Sequence, residues 1–317
     1  MSLPAQFHGL DGVPLPPRPL HLAIGMFDGV HLGHQAVIES AVHSARRCGG
    51  LAGVLTLWPH PSRLFTPAKP VRMLMSPETK FRVLLRLGVD AVIEQPFTPA
   101  FAAITAEEFL PHLQQRLPQL AGVYVGENWR FGAGRKGDVK LLLAEAGKHS
   151  VTVVSVPRIH CNGEPISSTR IRDCLEAGKV EEANLLLGYS YFADGVVTPG
   201  RRLGRTLGFP TLNVPWRPEL QPRHGVYAVR ISGDFAAAGL PGVANYGLRP
   251  TIAAGGEPLL EVHVLAPCPF VPGSRVTVEW LKFLRPEQKF GGVEELRAQI
   301  ARDRETAAAF FRPPAAG

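Results

Sequence analysis

The distribution of apolar residues changes near residue 190, and this change limits the folds open to the chain more than any other feature. Before it, short apolar runs typical of buried strands alternate with stretches of helical periodicity. After it, strand-like runs follow one another between Gly and Pro turns. The pattern predicts two domains, an α/β domain over residues 1–187 and an all-β domain over residues 188–317.

The first domain has five apolar runs that predict strands, separated by amphipathic stretches that predict helices. The predicted strands are Leu20–Phe27, Leu51–Trp58, Val89–Gln95, Ala121–Gly126 and Val151–Val156. The predicted helices are His34–Arg47, Glu78–Leu87, Ala106–Leu117 and Asp138–Lys148. Strands that alternate with helices pair in parallel, so we expect a doubly wound parallel sheet.

The second domain is expected to form a nearly closed barrel, because closure removes the exposed sheet edges. Its clearest strand runs are Val226–Ile231, Leu259–Leu265 and Arg275–Phe283. An amphipathic helix is predicted at Gly292–Arg302, and residues 304–317 are expected to fray. Between the domains, Ser168–Leu187 predicts two short helices broken at Gly178.

Composition and charge narrow the classes of protein further. Hydrophobic residues make up 45% and charged residues 19% of the chain, which excludes a disordered protein. No apolar run approaches the roughly 18 residues that cross a bilayer, and residues 1–19 lack a secretory pattern, so we expect a cytoplasmic protein with no membrane partner. The net charge of +7 favours an anionic partner; without a long Lys/Arg run, small phosphorylated ligands are expected rather than nucleic acid.

The first predicted strand runs into a segment, Gly25–His34, that is rich in Gly and His. A Gly-containing turn that opens a helix after a strand is where α/β sheets bind anions. His31 and His34 are three residues apart, so both imidazoles can face one phosphate, and Gly33 lets a ligand approach the backbone. Metal binding by the two histidines is an alternative.

A second segment, Ile166–Arg172, places hydroxyls and arginines at a predicted helix start. Hydroxyls, amide N–H groups and arginine together can hold a triphosphate. A plain Ser/Thr helix cap is the alternative.

The segments GMFDGVHLGHQ, LWPHP, VGENWRFG and ISSTRIR resemble motifs of the bacterial bifunctional riboflavin kinase/FMN adenylyltransferases, or FAD synthetases. The resemblance runs from about Leu20 to Arg302. It implies a nucleotidyltransferase-like α/β domain, a riboflavin kinase barrel and a C-terminal helix. It also implies two reactions that use ATP and Mg²⁺: riboflavin gives FMN and ADP, and FMN then gives FAD and pyrophosphate.

For the first domain, the resemblance implies roles for three groups of residues. The catalytic pair is His31 and His34. The nucleotide-binding residues are Gly25, Phe27, Asp28, Gly33, Ser167, Ser168, Thr169 and Arg172. The flavin-binding residues are Pro59, His60, Phe65, Asn128, Trp129, Arg130 and Phe131. Asn128 and Trp129 stand where many members have Asp-Phe, and core packing is the alternative for Trp129 and Phe131.

In the second domain, Gly200–Asn213 is a Gly-rich basic loop that leads into a short strand. Such loops bind phosphate through backbone N–H groups, and a plain hairpin loop is the alternative. The segment resembles the riboflavin kinase loop that ends in PTAN. The resemblance implies that Gly200, Gly204, Arg205 and Gly208 bind nucleotide and that Thr211 and Asn213 hold Mg²⁺.

The same resemblance makes Glu261 the general base of the kinase and places Arg285 near the flavin or the phosphates. Gly242–Thr251 resembles a family turn that is largely structural. The family's acidic-aromatic turn is missing at Ala266–Gly273. An adenylyltransferase with an impaired kinase is therefore the first alternative. A silent flavin-binding protein is the second, although the intact motifs argue against it, and a basic nucleic-acid binder is the third, suggested only by the net charge. A homo-oligomer stays open.

Overall fold

The computed structural model describes residues 4–200, 208–234, 236–248 and 258–312. The chain divides into two compact units between Ser168 and Thr169. The first unit is a parallel sheet with helices, and the second is an antiparallel barrel with helices, as the sequence predicted. Within the described ranges, no helix combines the length and apolar character needed to span a membrane.

In its described part, the first unit contains a sheet of six parallel strands in the order β1-β4-β3-β2-β5-β6. The strands are β1 (Ala5–His8), β2 (Leu20–Ile24), β3 (Leu51–Trp58), β4 (Ala91–Pro96), β5 (Leu120–Gly126) and β6 (Thr152–Val156). The helices are α1 (Leu32–Arg47), α2 (Ser62–Phe65), α3 (Pro77–Arg86), α4 (Pro99–Ala102), α5 (Ala106–Arg116) and α6 (Val139–Ala146). A short hairpin follows, β7 (His160–Cys161) and β8 (Glu164–Pro165).

The strand order of the first unit reverses between β2 and β5, and this reversal determines where a ligand can bind. The chain moves outward from β2 to β3 and β4, and then returns to the other side of β2 with β5 and β6. The crevice at the carboxyl ends of β2 and β5 is therefore a topological switch point, which is where open α/β sheets bind ligands. The central strands are continuous apolar runs because helices cover both faces of the sheet.

The second unit begins with helices and continues as a barrel. The helices are α7 (Ser168–Ala177), whose residues belong to this unit from Thr169, and α8 (Val180–Leu187). The strands, paired in the order β10-β13-β12-β11-β14-β9, are β9 (Phe192–Val196), β10 (Leu212–Pro215), β11 (Gly225–Gly233), β12 (Ala236–Leu248), β13 (Pro258–Val264) and β14 (Arg275–Pro286). The last helix is α9 (Val293–Phe310). The predicted helix break at Gly178 is confirmed, with φ +80°.

The two edges of the barrel sheet meet where Thr198, just beyond the end of β9, pairs with Asn213 within β10. The Thr198 N–H donates to the Asn213 carbonyl at 2.9 Å in an antiparallel bridge, so the sheet is nearly closed. Trp280, Tyr227 and Tyr246 fill the interior with their rings in edge contacts. On the outside, α9 packs Ala307 against Val226 and Val243.

Two local predictions were wrong, and an edge strand was missed. Residues 242–248 were expected to form a turn, but they are the end of β12, where small residues are needed because a Cβ on Gly242 would lie 3.2 Å from the His263 carbonyl. The last helix continues to Phe310 rather than ending at Arg302, because Ala307 is buried under it. The edge strand β1 was missed, being only four residues long. The boundary at residue 187/188 stays a prediction.

Candidate active sites

The loop after β2 has a strained backbone. Phe27 and Val30 adopt φ of +48° and +36°, and Gly29 between them adopts +79°. A positive φ at a buried β-branched residue such as Val30 is a clear outlier. Such strain persists only where the surroundings over-determine the backbone, and it clusters at functional sites.

Hydrogen bonds from four parts of the first unit fix this loop. They are Thr56 Oγ1 to the Met26 carbonyl (3.0 Å), Ser168 Oγ to the Asp28 carbonyl (2.9 Å), the Leu74 N–H to the Asp28 carboxylate (2.9 and 3.1 Å) and Gln35 Nε2 to the Val30 carbonyl (2.8 Å). Asp28 is 2% exposed and both of its carboxylate oxygens face Leu74, so its observed role is to hold the loop. Its binding of nucleotide stays a prediction.

The two histidines of the loop lie together at the start of α1. Their rings are stacked, with centroids 3.6 Å apart and an interplanar angle of 18°. His31 is the N-cap, and its Nδ1 accepts the His34 N–H at 3.3 Å, so a neutral His31 ring carries its proton on Nε2. The Phe27 ring meets His34 edge-on at 5.3 Å. Because the first turn of α1 has no acidic side chain, the helix presents a positive end suited to an anion.

Glycines permit the close contacts of this loop. A Cβ on Gly25 would lie 3.0 Å from the Phe27 ring, and a Cβ on Gly33 would lie 3.3 Å from the His31 ring. Phe27 is buried, so its observed contribution is packing against Gly25 and His34.

The predicted flavin-side residues lie on loops after β3 and β5, the neighbours of β2. After β3, the Ser62 N–H donates to His60 Nδ1 at 3.0 Å, which orients this imidazole. Pro59 is exposed, and Phe65 is 63% exposed with its ring 5.7 Å from that of Phe97. An exposed ring can stack on a planar ligand, and its contact with flavin stays a prediction.

After β5, Trp129 stacks on Phe131 with centroids 4.6 Å apart and an interplanar angle of 13°. Phe131 is buried in the hydrophobic core, so packing is its observed role, whereas Trp129 is half-buried. Asn128 is exposed, and Arg130 pairs with Asp138 at 3.4 Å. Asn128 and Arg130 are therefore exposed on the loop that follows β5, whereas Trp129 packs partly against the core, and contact of these residues with flavin stays a prediction.

The predicted triphosphate segment spans the division between the units. Ser167 and Ser168 belong to the first unit, and Ser168 contacts the loop directly through the Asp28 carbonyl. Thr169 and Arg172 lie on α7 in the second unit.

The second candidate site is a row of residues across the barrel. Glu261 on β13 is directly opposite Asn213 on β10 and Asn245 on β12, and the row continues through Val226 to Arg285. Directly opposed residues project from the same face of a sheet. Asn213 and Glu261, predicted from separate motifs, are thus neighbours.

The segment before β10 is held close to this row. The His263 Nδ1–H donates to the Pro210 carbonyl at 2.8 Å, because a carbonyl can only accept. A Cβ on Gly200 would overlap the Asn213 amide, so glycine is required there. Gly208 has φ +87°, Thr211 is exposed, and Gly204 and Arg205 lie outside the described residues.

Arg285 forms an ion pair with helix α9. Its guanidinium donates to both carboxylate oxygens of Asp303, at 2.8 and 2.6 Å. Its contact with flavin or phosphate stays a prediction. The turn at 266–273, which departs from the family pattern, is anchored by the buried Phe270.

Sequence reasoning missed a buried polar group next to the loop. Lys80 on α3, Thr56 on β3 and Glu94 on β4 are each less than 8% exposed. A Lys in an amphipathic helix is ordinarily a surface residue, so no local signal distinguished Lys80.

Comparison with known families agrees with these two sites. The family model described as FAD synthetase matches residues 15–170, and that described as riboflavin kinase matches residues 187–311. The bifunctional riboflavin kinase/FMN adenylyltransferase of Escherichia coli strain K12 is 40% identical over 290 residues, which cover 92% of each chain. That of Bacillus subtilis strain 168 is 35% identical over 297 residues, with the same coverage.

A crystal structure described as a macrolide-efflux protein from Streptococcus pneumoniae is also similar. It has a TM-score of 0.82 and 28% identity, and the match covers 96% of this chain and 98% of that one. The likeness to the curated relatives covers both units and both candidate sites. The chain therefore belongs to the family of bifunctional riboflavin kinase/FMN adenylyltransferases.

Proposed function

We propose that the chain phosphorylates riboflavin with ATP to give FMN and ADP, and then joins FMN to the adenylyl group of a second ATP to give FAD and pyrophosphate. The observation that carries the proposal is the presence of two separate candidate sites, one in each unit, each suited to one reaction. The proposal includes a cytoplasmic location and neither a membrane nor a nucleic-acid partner, since all the substrates are small molecules.

In adenylyl transfer, a phosphate oxygen of FMN forms a bond to the α-phosphorus of ATP, and pyrophosphate leaves. That oxygen is already ionised near neutral pH, so the site needs no strong base. It must hold two anions together and stabilise the charge that develops at the α-phosphorus. His31, His34 and the N–H groups at the start of α1 provide donors, and the hydroxyls of Ser167 and Ser168, which belong to the same unit, add others. The nucleotide-binding roles of Thr169 and Arg172 stay predictions.

In the kinase reaction, the 5′-hydroxyl of the ribityl chain attacks the γ-phosphorus and ADP leaves. This hydroxyl is not ionised at neutral pH, so a proton acceptor helps, and Glu261 is the proposed base. Mg²⁺ would neutralise phosphate charge. The hydroxyl of Thr211 and the amide oxygen of Asn213 suit this hard cation, and the position of Asn213 opposite Glu261 supports its assignment as a ligand.

A kinase-impaired enzyme is the second candidate, because the acidic-aromatic turn is absent at 266–273. Incubating the purified protein with riboflavin, ATP and Mg²⁺, and separating the flavins by chromatography, tests both. We expect FMN and then FAD. FAD from supplied FMN, without FMN from riboflavin, would favour the second candidate. No conversion of either flavin would contradict both.

A further inference from the structure

Lys80 is buried almost completely in the first unit. It is 3% exposed, and its Nζ donates to Thr56 Oγ1 at 2.9 Å. Burial lowers the pKa of Lys80 from its usual 10.5, and the charges of Glu94 and Asp28 oppose this shift. Both carboxylates are themselves buried, so a cation in this position offsets their charge, together with His8, which lies 3.6 Å from Glu94 and is charged when protonated.

The Thr56 hydroxyl links Lys80 to the strained loop by two hydrogen bonds. Its hydroxyl has a single proton, which it donates to the Met26 carbonyl at 3.0 Å, while it accepts from Lys80. Met26 directly precedes Phe27, the first residue of the loop with positive φ. The ammonium, the hydroxyl and the carbonyl form a chain in which a charged donor strengthens the following bond.

The same cation acts on the loop by a second route. Asp28, which attracts Lys80, holds the Leu74 N–H with its carboxylate and lies between Phe27 and Gly29. Lys80 therefore acts on both sides of Phe27, and its side chain is almost completely shielded from solvent.

We propose that Lys80 is a positioning residue for adenylyl transfer, which acts through Thr56 and Asp28 to hold the left-handed loop that orients His31 and His34. This inference rests on the proposed function of the first unit. A small displacement of catalytic groups can lower a rate by about a hundredfold, so the effect belongs mainly in kcat rather than in KM.

Two substitutions at Thr56 separate the hydrogen bond from packing. Thr56→Val keeps the volume and removes the hydroxyl, whereas Thr56→Ser keeps the hydroxyl and removes a methyl group. We expect Thr56→Val to lower kcat for FAD formation from FMN by roughly tenfold or more with little change in KM, and Thr56→Ser to stay within roughly threefold of the wild type. A Ser variant that is slower than the Val variant would show that packing is the role and overturn the proposal.

Lys80→Met tests the cation itself. A double variant, Lys80→Met with Glu94→Gln, also removes one of the buried negative charges that Lys80→Met leaves unpaired. We expect the double variant to recover the melting temperature lost by Lys80→Met but not kcat for FAD formation, while riboflavin phosphorylation stays unchanged. Recovery of kcat along with the melting temperature would reduce Lys80 to charge balance and overturn the proposal. Absence of FAD with the wild type would instead contradict the proposed function, and this inference with it.

Discussion

The two candidate sites, both assigned to phosphoryl chemistry, are built in different ways. In the first unit, the site is a loop with positive φ at Phe27, Gly29 and Val30, fixed by hydrogen bonds from β3, α1 and more distant segments. In the second, the site is a row of side chains on regular antiparallel strands, with Asn213 and Glu261 opposite each other. A loop can aim backbone N–H groups and imidazoles at two anions, whereas a strand places a carboxylate beside cation ligands by register alone. Each construction matches the chemistry assigned to it, since one nucleophile is already ionised and the other must lose a proton.

The largest expected effect is on the kinase site of the second unit, where a substitution should leave the first unit's reaction intact. Glu261→Gln keeps the size and hydrogen-bonding reach of the side chain but removes its basicity. We expect FMN formation to fall by roughly a hundredfold to ten-thousandfold, as for loss of a general base. FAD formation from supplied FMN should be nearly unchanged, and both rates can be measured by chromatography of the flavins. Equal FMN formation by the wild type and the variant would exclude Glu261 as the base.

The second largest effect is expected at the adenylyltransferase site of the first unit. Replacing both His31 and His34 by Ala removes the stacked imidazoles at the start of α1. We expect FAD formation to fall by about a hundredfold or more, because donors to the developing charge are lost. FMN should still accumulate from riboflavin. The assignment fails if the double variant makes FAD at the wild-type rate.

A third experiment sharpens the comparison by separating the units. Fragment 169–317 differs from fragment 188–317 by having α8 and all of α7 except Ser168. Helix α8 contributes the buried Leu186 and Leu187, and Asn184 makes hydrogen bonds with Trp280 and Tyr191. We expect the longer fragment to have a free energy of unfolding higher by about 3 kcal/mol or more. Urea unfolding followed by tryptophan fluorescence measures the difference.

The same fragments test the second ATP site. ATP with Mg²⁺ should raise the melting temperature of a fragment that carries it. A folded fragment 169–317 without such a shift would contradict the nucleotide site, and equal unfolding free energies would contradict the role given to α8.

The smallest effect concerns pH and the first unit. His21, at the start of β2, bonds Tyr124 Oη through Nδ1 at 2.8 Å, and burial lowers its pKa below the usual 6.5. The folded state favours the neutral ring, so this contribution to stability is complete above pH 6.5 and is lost as the pH falls below it. We expect His21→Gln to flatten the decline in the urea midpoint below pH 6.5. His43→Gln, at an exposed position of α1, is the control and should leave the decline unchanged.

The sequence predicted those parts of the molecule that local patterns encode. The buried strands of the first unit have continuous apolar runs, and the motifs around His31 and Glu261 supplied candidate residues. The strand β12 was not recognised because its many small residues and Pro241 resemble a turn, although their smallness reflects close packing with β13.

Roles that depend on tertiary contacts had no local signal. Lys80 is buried by strands that are distant in sequence, and the pairing of Arg285 with Asp303 depends on where α9 docks. The spatial relation of Glu261 to Asn213 follows from strand register, which neither motif contains.

The bridge between Thr198 and Asn213 gives Asn213 two tasks at once. Its backbone carbonyl accepts the Thr198 N–H and closes the sheet, while its side chain is the proposed cation ligand. A ligand that holds the Asn213 side chain in place should therefore also stabilise the hydrogen bond between Thr198 and Asn213 that closes the barrel. We therefore expect the exchange of the Thr198 amide with solvent deuterium to slow when the kinase site is occupied.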